Sequence, residues 1–215
     1  MRRYQGVLLD VDGTLVDSND AHAQAWVEAL AKHGHEVSVP RARSLVGMGG
    51  DKLIEIVTGI PAGSRANERI SSDRTQLFKQ KWLHTVKPQL GARKLVLRLR
   101  ADGYMMAIAS AAKAEELQPL LEIADIADLV EVRTTSSDVE HSKPDPDIIN
   151  AALARIATDR KRTVMIGDTP YDVRAARDAN VDIIAVSCGG WSVEALAGAV
   201  AVFGGPADLA DNFPT

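Results

Sequence analysis

Short apolar runs occur near the start of this chain and again from residue 104 onward. Stretches with helical spacing separate most of them. The runs cover residues 6–9, 104–109, 163–167 and 183–186, and residues 130–134 are a weaker candidate strand. The helical stretches include residues 90–100, 146–156 and 171–179. Short strands that alternate with helices of this length favour parallel pairing. The pattern therefore predicts an α/β fold, in which a mostly parallel, Rossmann-like sheet carries helices on both faces.

The long segment between the first two runs differs from its surroundings, because it contains helical patterns and no convincing strand. A helix is predicted from about Ser18 to Gly34, and residues 65–86 have the spacing of one long polar helix. Glycine-rich and proline-rich breaks lie between them. The predicted organisation is an α/β core of residues 1–16 and 88–215, interrupted by an all-helical domain of residues 17–87. A last short helix is predicted near Val193, and no chemistry is assigned after Phe203.

Composition restricts the kind of partner that this chain can bind. The net charge is -4 and the isoelectric point is about 5.7, so there is no basic field to attract a nucleic-acid backbone. No apolar run approaches the ~18 residues of a membrane span. Cys188 is the single cysteine, which excludes an intrachain disulfide. With no signal peptide apparent at the amino terminus, these features predict a cytoplasmic protein.

Two aspartates, Asp10 and Asp12, follow the first apolar run. Strand side chains alternate with period two, so both carboxylates face the same side if the extended backbone continues to Asp12. Two acids this close repel each other unless a cation or a shared proton intervenes. A strand followed by an ordinary Asp-Gly turn is an equal alternative. An EF-hand calcium loop is excluded, because Gly13 stands fourth rather than sixth in the loop.

Other polar residues occupy similar positions at or after the later strands. Ser110 and Asp168 each follow a predicted strand, Asp172 lies at the start of the next helix, and Lys143 lies in a polar loop. Taken singly, each is explained as a helix cap, a dipole-compensating acid or a solvated lysine. In open parallel sheets, however, ligands bind at the carboxyl ends of the strands. Together these residues supply acids, a hydroxyl and one cation, which fits phosphoryl transfer with a metal.

The order of these residues resembles the haloacid dehalogenase superfamily, and within it the helical-cap enzymes such as phosphoglycolate phosphatase and beta-phosphoglucomutase. Four segments carry the resemblance: DVDGT at 10–14, SAAK at 110–113, KPDP at 143–146 and GDTPYD at 167–172. The resemblance implies that Asp10 is the nucleophile and Asp12 the general acid and base. It also implies magnesium held by Asp10, the main-chain carbonyl of Asp12 and Asp168, with Asp172 in support. Ser110, Ala111 and Lys143 would bind the phosphoryl group.

Substrate selection would then fall to the inserted helical domain, the cap. Its candidate residues are His22 and the glycines Gly47, Gly49 and Gly50. An ordinary packed histidine and a plain interhelical turn are the simpler explanations of these residues. Related sugar phosphomutases are expected to carry an arginine just after the glycine of this loop, where Gly49 and Gly50 stand here.

The predicted function is a magnesium-dependent phosphatase that hydrolyses a small phosphorylated metabolite through an aspartyl-phosphate intermediate. One alternative is a sugar phosphomutase of the beta-phosphoglucomutase type, although the missing arginine weakens that hypothesis. A third hypothesis is a non-enzymatic phosphate-binding module, because fold alone does not fix function. No nucleic acid or membrane is expected as a partner, and the protein is expected to be a monomer or a homodimer.

Overall fold

The structure, a computed structural model, describes residues 3–214. The outermost ends of the predicted core, residues 1, 2 and 215, lie outside the described residues. The chain divides into two compact units. The first, here called the α/β unit, consists of Met1–Asp17 and Lys87–Thr215, and the second, the helical unit, is Ser18–Val86. The predicted boundaries lie one residue away from these at each junction.

The strands in chain order are β1 (Gly6–Leu9), β2 (Val16–Asp17), β3 (Lys87–Pro88), β4 (Met105–Ala109), β5 (Arg133–Thr134), β6 (Thr163–Gly167), β7 (Asp182–Val186) and β8 (Ala201–Phe203). Six of them form one sheet in the order β5-β4-β1-β6-β7-β8, and every neighbouring pair in it is parallel. β2 and β3 pair antiparallel where the chain leaves and re-enters the α/β unit. The predicted parallel α/β fold is confirmed.

The α-helices are α1 (Asn19–Lys32), α2 (Val39–Arg43), α3 (Gly50–Thr58), α4 (Arg65–Leu77), α5 (Ala92–Ala101), α6 (Ala114–Ile123), α7 (Asp147–Ile156), α8 (Pro170–Asp178) and α9 (Pro206–Asn212). The first four belong to the helical unit and the others to the α/β unit. Among residues 3–214, no helix has both the length and the apolar character of a membrane span.

The central strand β1 is covered on both faces, since Val7, Leu8 and Leu9 are all fully buried. On one face Leu8 is in register with Ala107 and Met165, and the three pack in one core with residues of α7 and α8. Burial on both faces is typical of strands in parallel sheets and explains why β1 is apolar throughout rather than alternating. The packing fixes the residues that follow each strand at one edge of the sheet.

The helical unit has a core of its own, built from α1, α3 and α4 around Trp26, Leu30, Leu53 and Ile70. Ser64 begins α4 by accepting a hydrogen bond from the backbone N–H of Asn67. The long helix predicted for residues 65–86 is divided: α4 is followed by a π-helical turn, Phe78–Trp82, and a 3-10 turn, Leu83–Thr85. Apolar spacing hardly differs between these helical forms, so the sequence pattern did not separate them.

The carboxyl-terminal part contains the clearest differences from prediction. The short helix expected near Val193 is wrong, since residues 191–200 form turns and isolated bridges there. The sheet instead gains β8 as an edge strand, and α9 follows it with Pro206 in its first turn. A three-residue strand offers too few residues for a readable alternation, and its pairing with β7 is settled by tertiary packing.

Candidate active site

Three neighbouring strands bring Asp10, Ser110 and Asp168 to one edge of the sheet. Leu9 is in register with both Ile108 and Ile166, so the residues just after β1, β4 and β6 lie side by side. The backbone N–H of Asp10 still bonds to the carbonyl of Ile166 at 2.9 Å, which continues the ladder to the first acid. All three side chains are buried.

Lys143 joins two of the acids. Its ammonium nitrogen Nζ lies 2.6 Å from Asp10 Oδ1 and 2.7 Å from Asp172 Oδ1, and the three side chains are at most 7% exposed. Burial lowers the pKa of Lys143, but the negative charges of Asp10 and Asp172 more than offset this and raise it above its ordinary value. The lysine is therefore a permanent cation between two buried carboxylates.

Burial also dominates the state of Asp10. It raises the pKa of this carboxyl to about 7 against the opposing charge of Lys143, and repulsion from Asp172 and Asp12 acts in the same direction as burial. A carboxyl group that is buried beside other acids is harder to ionise than one in water. An added cation would stabilise the ionised form.

Three acids offer oxygen atoms close enough to share such a cation. One carboxylate oxygen from each of Asp10, Asp168 and Asp172 lies within 4.8 Å of the other two. Thr14 supports two of these acids, since its hydroxyl lies 3.0 Å from Asp168 Oδ1 and 3.4 Å from Asp10 Oδ2. Carboxylate oxygens are the donors that Mg²⁺ and Ca²⁺ prefer, so this donor set fits a hard divalent cation.

Asp172 is already occupied on both of its oxygens. Oδ1 accepts from Lys143, while Oδ2 accepts from the backbone N–H of Thr169 at 3.1 Å and from its hydroxyl at 2.7 Å. Thr169 in turn accepts from the backbone N–H of Asp172, which completes a capping box at the start of α8. Asp172 thus fixes Lys143 and begins a helix, a role that suits a supporting residue better than a metal ligand.

The remaining predicted residues of the α/β unit differ in exposure. Ser110 is fully buried, and its hydroxyl oxygen accepts from the backbone N–H of Ala112 at 3.0 Å, which leaves the hydroxyl proton to donate. Ala111 and Asp12 are half-buried. Asp12 therefore keeps access to water, whereas Asp10 is 5% exposed. The two acids of the first motif have separate environments.

The candidates in the helical unit have structural partners within that unit. His22 is buried on α1, where its ring stacks on Phe78 at 4.0 Å and its Nδ1 lies 2.6 Å from Arg74 Nη2. Gly47 has a φ of 101°, a left-handed conformation that favours glycine. A Cβ at Gly50 would lie 2.8 Å from the ring of Trp26. Gly49 is the N-cap of α3.

Three residues to which the sequence analysis gave no role, Thr14, Thr169 and Arg74, also contact the predicted site residues. Thr14 contacts Asp10 and Asp168, and nothing in its spacing distinguishes it from a turn residue. Thr169 is different, because a threonine three residues before Asp172 is a readable capping-box pattern. Arg74 lies in the core of the helical unit, 5.0 Å from the Trp26 ring, although its helix reads as polar.

Comparison with known proteins places this site in a family. Residues 7–186 match the family described as haloacid dehalogenase-like hydrolase. The chain belongs to that family. It is 30% identical to a phosphoglycolate phosphatase from Yersinia pseudotuberculosis over 91% of this chain and 86% of that protein. It is also 27% identical to the pyrophosphatase PpaX of Bacillus velezensis, over 90% and 86% of the two chains.

Among solved structures, a hydrolase from Pseudomonas syringae superposes with a TM-score of 0.88 and 28% identity, covering 96% of both chains. Membership of the haloacid dehalogenase-like family makes this protein a hydrolase, with relatives that are named as phosphatases. Its buried acid cluster is the place where a divalent metal could bind.

Proposed function

We propose that this protein is a magnesium-dependent phosphatase that releases phosphate from a small phosphorylated metabolite through a covalent aspartyl-phosphate on Asp10. The observation that carries the proposal is the buried group of Asp10, Lys143, Asp168 and Asp172 at the sheet edge. In it a carboxylate has the cation and the acidic neighbours that phosphoryl transfer needs. The phosphatase names of two relatives support the same class of reaction.

The proposed reaction has two steps. In the first, an Asp10 oxygen bonds to phosphorus as the bond to the leaving oxygen breaks, and Asp12 donates a proton to that oxygen. In the second, Asp12 takes a proton from water, which attacks phosphorus and breaks the acyl-phosphate bond. Free phosphate leaves and both aspartates return to their first state. The half-buried position of Asp12 suits a group that exchanges protons with water.

Magnesium is assigned to Asp10, Asp168 and the main-chain carbonyl of Asp12, where its charge would offset the repulsion between Asp10 and the phosphoryl oxygens. Lys143 has three N–H donors, of which two bond to Asp10 and Asp172, so the third is available to a phosphoryl oxygen. The Ser110 hydroxyl and the backbone N–H of Ala111 are the other proposed donors.

Selection of the leaving group is assigned to the helical domain, proposed as residues 17–87, with His22, Gly47, Gly49 and Gly50 as the candidate residues. The α/β core is then residues 1–16 and 88–215. We further infer a cytoplasmic enzyme that acts as a monomer or homodimer on a free metabolite rather than on nucleic acid or a membrane. The net charge of -4 supports this part of the proposal.

The test is phosphate release from a panel of substrates in the presence of Mg²⁺. The panel contains p-nitrophenyl phosphate, phosphoglycolate, pyrophosphate and several sugar phosphates, and Asp10→Asn is the matched control because it keeps the side-chain shape. Release by the wild type and not by the variant is the expected result. No release above the control on any substrate would reject the proposal, and conversion of a hexose 1-phosphate to its 6-phosphate without release would favour the mutase.

A further inference from the structure

The short turn after β7, Ser187–Gly189, lies against the acid cluster. A Cβ built on Gly189 would be 1.8 Å from Asp168 Oδ2, 2.5 Å from its Cγ and 2.6 Å from its Cβ. These distances are far inside van der Waals contact, so no side chain fits at this position while Asp168 keeps its orientation. The backbone of Gly189 approaches the carboxylate directly.

The reason for a glycine here is contact and not backbone strain. Gly189 is absent from the glycines with positive φ, whereas the next residue, Gly190, has a φ of 90°. Any L-residue could therefore adopt the backbone conformation of Gly189. The three nearest atoms that a side chain would meet all belong to Asp168.

Both carboxylate oxygens of Asp168 have close neighbours. Oδ1 accepts a hydrogen bond from Thr14 at 3.0 Å, and Oδ2 is the atom that lies against Gly189. The residue is fully buried, which leaves little space for another rotamer. A methyl group at residue 189 would rotate the carboxylate away from Thr14 or push the turn outward.

The turn itself is anchored on two sides. Cys188 Sγ donates to the carbonyl of Gly13 at 3.4 Å, and the Ser187 hydroxyl donates to the carbonyl of Phe203 at 3.4 Å. Because the turn is tied to the loop after β1 and to β8, it cannot move without breaking these contacts, and a methyl group at residue 189 disturbs the Asp168 carboxylate.

We propose that Gly189 is a positioning residue, whose missing side chain sets the orientation of the Asp168 carboxylate and through it the affinity of the site for a divalent cation. The proposal rests on the assignment of Asp168 as a metal ligand in the proposed function. It adds a fourth strand end, that of β7, to those of β1, β4 and β6 that build the site.

The experiment measures Mn²⁺ binding by electron paramagnetic resonance, and Mg²⁺ binding by calorimetry, for wild type and Gly189→Ala. Substitutions that disturb the partner of a metal ligand typically weaken binding about 10- to 100-fold, and a loss of this size is expected. The matched control is Gly204→Ala, because a Cβ there meets only Asp208 Oδ2 at an ordinary 3.7 Å. Wild-type affinity in a folded Gly189→Ala protein would overturn the proposal, as would a wild type that binds neither cation.

A double-variant cycle separates this effect from a general disturbance of the turn. The three atoms nearest to the new methyl group all belong to the Asp168 side chain, its Cβ included. Gly189→Ala should therefore shift the urea midpoint in EDTA in the wild-type background but not in Asp168→Gly, which removes all three atoms. If Gly189→Ala alone does not fold, a folded double variant supports the proposal and an unfolded one overturns it. Cation binding is measured without substrate, so a failed phosphatase assay with this coupling intact would reject the proposed function and keep the role of Gly189.

Discussion

The two units of the molecule bury polar side chains in different ways. In the α/β unit, the buried charges Asp10, Lys143, Asp168 and Asp172 contact one another through charge-assisted hydrogen bonds or lie within a few ångströms at one sheet edge. In the helical unit, buried His22 and Arg74 lie among aromatic rings, with the guanidinium 5.3 Å from the centre of Phe78. The first arrangement concentrates charge, and the second places a charged group against aromatic rings.

This difference follows from the geometry of parallel sheets and of helices. A parallel sheet delivers the residue after every strand to one edge, so acids far apart in sequence meet by topology alone. A helix distributes its residues around an axis, and which of them are buried depends on the neighbouring helices. The residues proposed for chemistry are accordingly predictable from the sequence of the α/β unit, whereas those proposed for selectivity are not predictable from the sequence of the helical unit.

The largest expected effect tests whether Asp10 and Asp12 have separate catalytic roles. Asp10→Asn should lower turnover by about 10⁴-fold or more, since the loss of a nucleophile removes the covalent route. Asp12→Asn should lower it by about 10²- to 10⁴-fold, the usual contribution of general acid and base catalysis. Both are measured as phosphate release from p-nitrophenyl phosphate under saturating Mg²⁺.

Cation binding provides the contrast between the two variants. Asp12 is proposed to offer its main-chain carbonyl, which the substitution leaves in place, so Asp12→Asn should bind Mn²⁺ nearly as tightly as the wild type. Asp10→Asn should bind it more weakly, because a carboxylate oxygen is lost. An equal loss of Mn²⁺ affinity in both variants would contradict these roles.

The acids of this site could be predicted from the sequence, but not all of the residues around them could. Asp10 and Asp168 follow clear apolar strands, so topology alone predicts that they meet. Lys143 is nine residues beyond the two-residue strand β5, and its position between Asp10 and Asp172 depends on the path of a loop. Thr14 bonds to Asp168, and Gly189 lies against the same carboxylate. Both contacts depend on how distant parts of the chain pack together, which no local sequence pattern encodes.

The fold shows the same limit. Most long elements agree with prediction within about two residues, because burial on both faces of a strand or on one face of a helix leaves a periodic signal. β8 and α9 were missed because the edge strand has three residues and α9 has seven. The π-helical turn at Phe78–Trp82 was missed because its apolar spacing matches that of an α-helix.

The next effect concerns stability and tests how strongly the charges of the α/β unit depend on one another. Lys143→Met should lower the free energy of unfolding by about 3–5 kcal/mol at pH 7, because it leaves Asp10 and Asp172 buried without their cation. Urea unfolding in EDTA measures it. Lys143→Arg serves as the control that keeps the charge. If Lys143→Met costs less than the Arg variant, the lysine does not hold the two acids together.

A smaller effect is expected for the buried cation of the helical unit. Arg74→Met keeps an apolar chain against Trp26 and Phe78 but removes the donor to His22 Nδ1, for an expected cost of about 1–3 kcal/mol. Urea unfolding at pH 7 gives the value, with Arg65→Met as a surface control on the same helix. A cost as large as that of Lys143→Met would show that the two units do not differ in this respect.

The smallest expected effect on stability concerns a group of ion pairs on the surface of the helical unit. Asp73 on α4 lies 2.9 Å from Lys32 Nζ and 2.7 Å from His33 Nε2, so it links α4 to the end of α1. The hydrogen bonds from Lys32 and then His33 lower the pKa of Asp73 below its ordinary value. Its side chain is 24% exposed, and exposed pairs contribute at most about 1 kcal/mol.

The direction of the pH dependence follows from that lowered pKa. The folded state holds Asp73 ionised more firmly than the unfolded state does, so the contribution is complete above the ordinary aspartate pKa of about 3.9 and is lost as the pH falls through the lower, folded value. Asp73→Asn should therefore cost up to about 1 kcal/mol at pH 7, and progressively less below pH 4. Urea unfolding at both pH values measures the difference, and 1 M NaCl should reduce it because the pairs are exposed. A cost that is unchanged at low pH would mean that Asp73 acts through packing, as the apolar neighbours of Arg74 do, and not through its charge.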